Sequence, residues 1–161
     1  MMRRAAKMAE TPETVRCYKL VAGPSQPWHS VAIPPGDELC VSYRLGEWSS
    51  ARVPNTPLMA FETTASAFRF MASYRGKRPV IWLLEGEGEP FDPLSTPAVM
   101  PICDLWGASE SDVADFWWRL FIEKKAPEPG CYVEPPDGTV FLWRFRPERI
   151  LWRSHVFRRG A

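Results

Sequence analysis

The C-terminal end of the chain combines two residue types that together bind single-stranded nucleic acid. Between Thr139 and Ala161 the only acid is Glu148, whereas the arginines are Arg144, Arg146, Arg149, Arg153, Arg158 and Arg159, interleaved with Trp and Phe. Arginine can follow a phosphate backbone while aromatic rings stack on the bases. On this interpretation the nucleic-acid contacts come from residues near the terminus, namely Arg153, His155, Arg158 and Arg159.

The same arginines also fit the solvent face of a half-buried β-sheet. Side chains alternate along a strand, which predicts an aromatic set and an arginine-bearing set on opposite faces of GTVFLWRF: Phe141, Trp143 and Phe145 against Leu142, Arg144 and Arg146. A buried aromatic face with a charged outer face is typical of antiparallel sheets, and exposed arginines discourage edge-to-edge pairing. This interpretation needs no ligand.

The charge distribution helps to distinguish nucleic-acid binding from the solvent face of a sheet. The net charge is only +1, so no global field draws the protein to nucleic acid or to an anionic membrane. The stretch from Glu85 to Asp115 contains acids and no Lys or Arg. If this acidic stretch covers the basic strands within the fold, no binding arm exists.

Residues for the common catalytic and metal-binding chemistries are not grouped in the sequence. The two histidines, His29 and His155, stand apart from any G-x-S-x-G elbow, and neither H-E-x-x-H nor a D-x-D-x-D-G loop occurs. The acids Glu85, Glu87 and Glu89 are interpreted as part of a solvated loop. We therefore expect no metal and no cofactor, and an enzyme is the less favoured class.

Four cysteines, none of them in a C-x-x-C pair, favour an intracellular protein with reduced thiols: Cys17, Cys40, Cys103 and Cys131. No stretch approaches the roughly 20 apolar residues that span a bilayer. We expect a soluble, cytoplasmic protein without a membrane partner.

The elements that must position these residues are short strands and two helices. Apolar alternation bounded by Gly and Pro predicts strands at 15–22, 28–33, 38–45, 57–61, 79–86, 138–145 and 148–153. Helical spacing and N-cap residues predict helices at about 63–74 and 109–125. The sequence therefore predicts an α+β fold with a mostly antiparallel sheet of about five to seven strands and two segregated helices, in one domain over 15–161 after a disordered tail, 1–14.

The second helix carries more large apolar residues than one sheet face requires. Trp118, Phe121 and Ile122 widen its apolar stripe, and Trp106 precedes it. Exposed aromatic clusters often anchor protein interfaces, so these four residues are candidates for binding a protein partner. Coverage of the second sheet face explains them equally well.

One stretch resembles the middle of ADP-ribosyltransferase-like domains. Tyr43-Arg44 on a strand is followed by MAFETT, the helix ASAFRFMASY and the strand VIWLLEGEGE. The resemblance implies an NAD-dependent transferase in which Arg44 contacts NAD, Thr63 occupies the Ser/Thr position and Glu148 stabilises the transition state. The chain departs from that family in lacking its Ser-Thr-Ser motif, and the late acid Glu148 is not part of a Glu-x-Glu or Gln-x-Glu motif.

Residues 15–90 also resemble small α+β proteins of phages and microbes that have no assigned activity. The shared pattern is a Tyr-x-x-Gly strand, here YRLG at 43–46, then PLMAF, an Ala/Phe helix and an apolar strand. This resemblance implies the fold and no chemistry. Our first hypothesis is a non-catalytic protein-interaction or regulatory module; the NAD-dependent transferase and nucleic-acid binding remain alternatives.

Overall fold

The computed structural model describes residues 13–31, 36–37, 39–53, 56–73, 80–91, 109, 111–113, 115–116 and 135–154. Seven strands form one sheet: β1 (Val15–Ala22), β2 (Trp28–Ser30), β3 (Ser42–Tyr43), β4 (Ser49–Ser50), β5 (Leu58–Phe61), β6 (Ile81–Pro90) and β7 (Thr139–Arg153). Helix α1 spans Thr64–Ser73, and residues 111–113 and 115–116 belong to a second helix, α2. The predicted α+β fold is confirmed, because the strand pairs are antiparallel and the helices are separate from the sheet.

The pairings of four strands close a ring. Strand β1 pairs along its whole length with β6, and β6 pairs with β7. Strand β5 then joins β7 back to β1. On the edge of β1 away from β6, β5 is followed by β2, which pairs in turn with β3. Strand β4 pairs with β7. The sheet is therefore curved on itself, which gives it an interior and an outer face.

The interior is packed so closely that strand β6 needs glycine at two positions. A Cβ on Gly88 would lie 2.5 Å from a Leu142 methyl carbon and 2.9 Å from the Cys17 sulfur. A Cβ on Gly86 would overlap the carbonyl oxygen of Arg146. The predicted strand at 79–86 ended at Gly86, whereas β6 continues through GEGEP to Pro90. The glycines of this segment let the backbones approach.

The two predicted C-terminal strands are one continuous strand. Pro147 was expected to separate them, yet it lies inside β7, buried and opposite Gly86. A proline is tolerated here because the register between β6 and β7 shifts beside it, between Glu85 and Gly86.

A second register shift makes the predicted face assignment of β7 wrong. Pro90 lies opposite Leu142 and Glu89 opposite Arg144, so Trp143 is an extra residue in the ladder. Because a bulge resets the alternation, Leu142 and Phe145 are both fully buried whereas Trp143 is 37% exposed. Sequence periodicity alone cannot reveal such an insertion.

Between β2 and β5 the structure corrects strand lengths more than faces. The predicted strand at 38–45 is reduced to Ser42–Tyr43, and β2 ends at Ser30 instead of residue 33. The short strand β4 lies in a stretch predicted as loop. The predicted common face of Leu39, Val41 and Tyr43 is confirmed, since all three are buried.

Helix α1 covers one end of the outer sheet face. It begins after Thr63, whose hydroxyl accepts a hydrogen bond from the Ser66 amide at 3.1 Å, as an N-cap should. Its Ala67 is fully buried in a cluster with Leu20, Phe61 and Leu83, packed by Phe68, Phe70 and Met71. The helix predicted at 63–74 is thus confirmed.

Helix α2 begins with the predicted capping box. The Ser109 amide donates to Asp112 Oδ2 at 3.0 Å, and the Asp112 amide donates to the Ser109 hydroxyl at 3.2 Å. Hydrogen bonds that the Asp112 carboxyl accepts from the Ser109 amide and side chain hold its pKa below the usual value. The remainder of the predicted helix at 109–125 lies outside the described residues, as does most of the predicted tail at 1–14.

Candidate functional site

The acidic and basic stretches meet as a ladder of ion pairs on the outer face of β6 and β7. Directly opposite one another across the two strands lie three pairs, Glu85–Arg149, Glu87–Arg146 and Glu89–Arg144. Each pair is joined by a side-chain hydrogen bond. The prediction of a solvated loop is therefore wrong: Glu87 and Glu89 are strand residues with arginine partners, as is Glu85, which also belonged to the predicted strand at 79–86.

A third strand extends this ladder. Arg16 of β1 lies 2.8 Å from a Glu148 carboxylate oxygen and 3.7 Å from Glu85. Glu148 also lies 3.8 Å from Arg146. Acids and arginines thus alternate across β1, β6 and β7, so the surface has little net charge of its own.

Tryptophan rings lie against three of the β7 arginines. The guanidinium carbons of Arg144 and Arg146 lie 4.3 and 5.0 Å from the centre of the Trp48 ring. Arg153, a candidate nucleic-acid contact, lies 5.3 Å from the centre of the Trp82 ring. The other candidates, His155, Arg158 and Arg159, lie outside the described residues. The arginines within β7 therefore have intramolecular partners.

Exposed apolar side chains concentrate on the same strand. Among the described residues, large apolar side chains that remain exposed are Val15, Trp143, Ile150 and Leu151, at 36%, 37%, 41% and 37%. Three of these four belong to β7. We call Trp143, Ile150 and Leu151 the β7 strip; its arginine neighbours belong to the ladder.

Strict alternation of side chains along β7 does not predict this strip. A register shift between Leu83 and Leu84 leaves Leu151 as an extra residue, so Ile150 and Leu151 are both exposed. The available signal was the Ile150-Leu151-Trp152 run, since three successive apolar residues do not fit a strand with one wet face. The interface candidates from the sequence, Trp106, Trp118, Phe121 and Ile122, lie outside the described residues.

The residues implied by the ADP-ribosyltransferase-like resemblance lie at different places. Thr63 caps α1, next to Glu62, whose amide donates to the Gly138 carbonyl at 2.8 Å. Glu148 instead lies on the ladder, where its carboxylate pairs with Arg16 and Arg146. Within the described residues, no hydrogen bond or ion pair joins Thr63 to Glu148.

Arg44 lies nearer to Glu148. It is exposed after β3, and its turn is tied to β7 by a 2.7 Å hydrogen bond from the Gly46 amide to the Pro147 carbonyl. The Glu148 carboxylate itself is engaged by Arg16 and Arg146. The structure thus places Arg44 and Glu148 on neighbouring segments, whereas Thr63 lies at the start of α1.

A buried lysine is the least expected feature of the interior. Lys19 of β1 is 9% exposed; its Nζ donates to the Met59 carbonyl at 2.5 Å and lies 5.3 Å from the centre of the Tyr43 ring. No salt bridge joins it to any acid in the described part of the chain. Burial lowers the pKa of the Lys19 ammonium to about 8.

Two neutral groups near Lys19 are perturbed by the same burial. Burial raises the pKa of the Cys17 thiol to about 12, an effect that Lys19 and Arg16 partly oppose. Burial also raises the pKa of the Tyr43 hydroxyl, which the Ser30 hydroxyl partly opposes. Even so, no group reaches the Tyr43 hydroxyl with the distance and angle of a hydrogen bond.

The described residues were also compared with the requirements of a metal site and of a membrane-spanning helix. Those residues contain no group of three or more His, Cys, Asp or Glu side chains arranged to hold a metal ion. None of the helical segments placed there has the length and apolar character needed to cross a bilayer. Cys17 is a buried thiol that forms no disulfide within the described residues; Cys103 and Cys131 lie outside them.

Comparisons with known proteins give no match: no protein-family model, no curated protein and no solved structure is similar to this chain.

Proposed function

We propose that this protein is a non-catalytic interaction module whose partner is another protein, bound at the β7 strip. The observation that carries the proposal is the concentration of exposed Trp143, Ile150 and Leu151 on one strand. Large apolar side chains surrounded by polar ones are the usual composition of a binding hot spot. The buried thiol of Cys17, which forms no disulfide within the described residues, fits a cytoplasmic setting.

The ladder supports a protein partner over nucleic acid. Phosphate binding needs cations that are free to replace counterions, whereas Arg144, Arg146 and Arg149 each have a glutamate partner. At a protein interface the same ladder can form the polar rim around the apolar strip, where paired charges contribute selectivity more than affinity. The ladder therefore favours a partner that presents an apolar contact.

The different partners of Thr63 and Glu148 support this proposal over an NAD-dependent transferase, since Thr63 caps α1 whereas Glu148 pairs with Arg16 and Arg146. A transferase site needs its cofactor contacts and its acid within one cleft. The direct check is incubation with NAD and measurement of released nicotinamide. Release that disappears in both Arg44→Ala and Glu148→Ala would favour the transferase instead.

Photo-crosslinking tests the proposed surface. A benzophenone amino acid is placed at Leu151 in one protein and at Arg69, on the exposed side of α1, in a matched control. In extracts of the host cells, the Leu151 protein should give a discrete adduct that the Arg69 protein does not give. The captured protein is then purified and its affinity measured by calorimetry.

Substitutions complete the test with purified components. The double variant Ile150→Glu, Leu151→Glu should weaken binding at least about 30-fold, roughly 2 kcal/mol, whereas Arg69→Glu should leave it unchanged. Equal affinities for both variants would remove the β7 strip from the proposal. The four candidates around α2, Trp106, Trp118, Phe121 and Ile122, would then be substituted next.

A further inference from the structure

The surroundings of Lys19 contain a surplus of hydrogen-bond donors. An ammonium group has three N–H donors, and within the described residues the Lys19 Nζ has one hydrogen bond, to the Met59 carbonyl. The Tyr43 ring lies against it, and the buried Tyr43 hydroxyl has no hydrogen-bond partner in this part of the chain. Trp28 lies directly opposite Tyr43 across β2 and β3, and its buried indole N–H is likewise unpartnered among the described residues.

Such an arrangement is costly unless an acceptor completes it. A buried donor without a partner destabilises the fold, and a buried cation without a counter-charge does so more strongly. An indole N–H and an ammonium can only donate, so they cannot satisfy each other. The group that would satisfy both the charge and the donors is an anion.

Lys19 lies where β1 changes its strand partner. On the edge of β1 away from β6, Tyr18 pairs with Phe61 of β5, whereas Val21 pairs with Ser30 of β2. The strand partner therefore changes between these residues, at Lys19 and Leu20. We call this change of partner the seam.

We propose that Lys19, with Tyr43 and Trp28, forms an internal binding site for a small monovalent anion, either a halide or a carboxylate, reached through the seam between β5 and β2. The anion pairs with the ammonium and accepts from the neighbouring donors. This site is independent of the β7 strip, so either proposal can fail without the other.

The test is anion-dependent stability at constant ionic strength. The free energy of unfolding is measured in urea at pH 7 while sodium gluconate, whose anion is much larger than chloride or acetate, is replaced by sodium chloride or sodium acetate. Wild type should be stabilised with a saturable dependence on one of these anions, because a ligand of the native state shifts the unfolding equilibrium. A response to chloride alone identifies a halide site, and a response to acetate identifies a carboxylate site.

Lys19→Met should abolish the anion dependence, and Tyr43→Phe should weaken it. The matched control Arg69→Met removes an exposed cation and should keep the wild-type response. An equal response in Lys19→Met and wild type would mean a general salt effect and would overturn the proposal. Absence of any response in wild type would overturn it as well.

A second measurement needs no substitution. Exchange of chloride with a protein site broadens the ³⁵Cl resonance, and acetate should suppress the excess line width if both anions share the site. Because the anion pairs with the protonated amine, its affinity should fall about tenfold per pH unit above the Lys19 pKa. Excess broadening that does not change between pH 7 and pH 10 would contradict a site built on Lys19.

Discussion

Glu87 of β6 and Arg146 of β7 lie directly opposite one another, with a carboxylate oxygen and a guanidinium nitrogen 3.0 Å apart. They are 59 residues apart in the chain, one in the acidic stretch and the other in the basic stretch. Their contact shows that the two stretches are complementary surfaces of one sheet.

This pair should stabilise the fold by a small, measurable amount. Both side chains are about one-third exposed, so solvent screening limits the coupling energy to roughly 0.5–1 kcal/mol. A double-mutant cycle with Glu87→Gln and Arg146→Met, followed by urea unfolding, measures it. The exchange Glu87→Arg with Arg146→Glu should recover part of the loss, and strictly additive single effects would show that the pair is not coupled.

Alanine at either glycine inside β6 should destabilise the protein, and Gly86→Ala should be the more severe change. The new methyl group of Gly88→Ala meets Leu142 methyl carbons, which can move, so about 1–3 kcal/mol is expected. The methyl group of Gly86→Ala meets the backbone of Arg146 and Pro147, which cannot move without breaking the β6–β7 pairing. Thermal unfolding of both variants gives the order, and the reverse order would contradict this account of the ring.

Replacement of Lys19 by Met should stabilise the protein most below pH 8. The pKa of Lys19 is lowered to about 8 in the fold, against about 10.4 in the unfolded chain. Between these values the unfolded state binds more protons, so the destabilisation due to Lys19 is complete below pH 8 and disappears as the pH approaches 10.4. The free-energy gap between Lys19→Met and wild type should therefore shrink by a few kcal/mol over this range.

The comparison with Lys19→Met is needed because Cys17 acts in the opposite direction. The pKa of its thiol is raised to about 12, so its contribution is complete below the unfolded value, about 8.5, and is lost as the pH rises. Cys17 is present in both proteins, so the part of its effect that is due to burial cancels from the gap, whereas the part due to the charge of Lys19 does not. Urea unfolding in gluconate, without chloride, gives the gap at each pH; a gap independent of pH would show that Lys19 is not buried as an isolated cation.

Binding of short single-stranded and duplex RNA and DNA should be weak at physiological salt. The arginines of β7 have glutamate or aromatic partners, which leaves few cations to release counterions from phosphates. Fluorescence anisotropy at several salt concentrations measures it. Tight binding that falls steeply with salt, and that is lost on truncation before Ser154, would instead assign residues 154–161 as a phosphate-binding arm.

Much of the fold followed from local sequence signals. The strand at 15–22, the N-cap at Thr63 and the capping box of Ser109 and Asp112 depend on residues close in sequence, and the structure has all three. The common buried face of Leu39, Val41 and Tyr43 was likewise predictable from alternation. Local hydrogen bonds and side-chain periodicity operate over a few residues, which is why sequence reading captures them.

The tertiary structure decided everything that depends on which strands are neighbours. The order of residues in the chain is enough to show that acids and arginines occupy separate stretches, and the hydrophobic patterning is enough to predict an α+β fold. Only the pairing of β6 with β7 turned them into a ladder, and only the register shifts in that pairing exposed Trp143, Ile150 and Leu151. In the same way, the closed ring of strands buried Lys19, because burial and register arise from contacts between segments far apart in the chain.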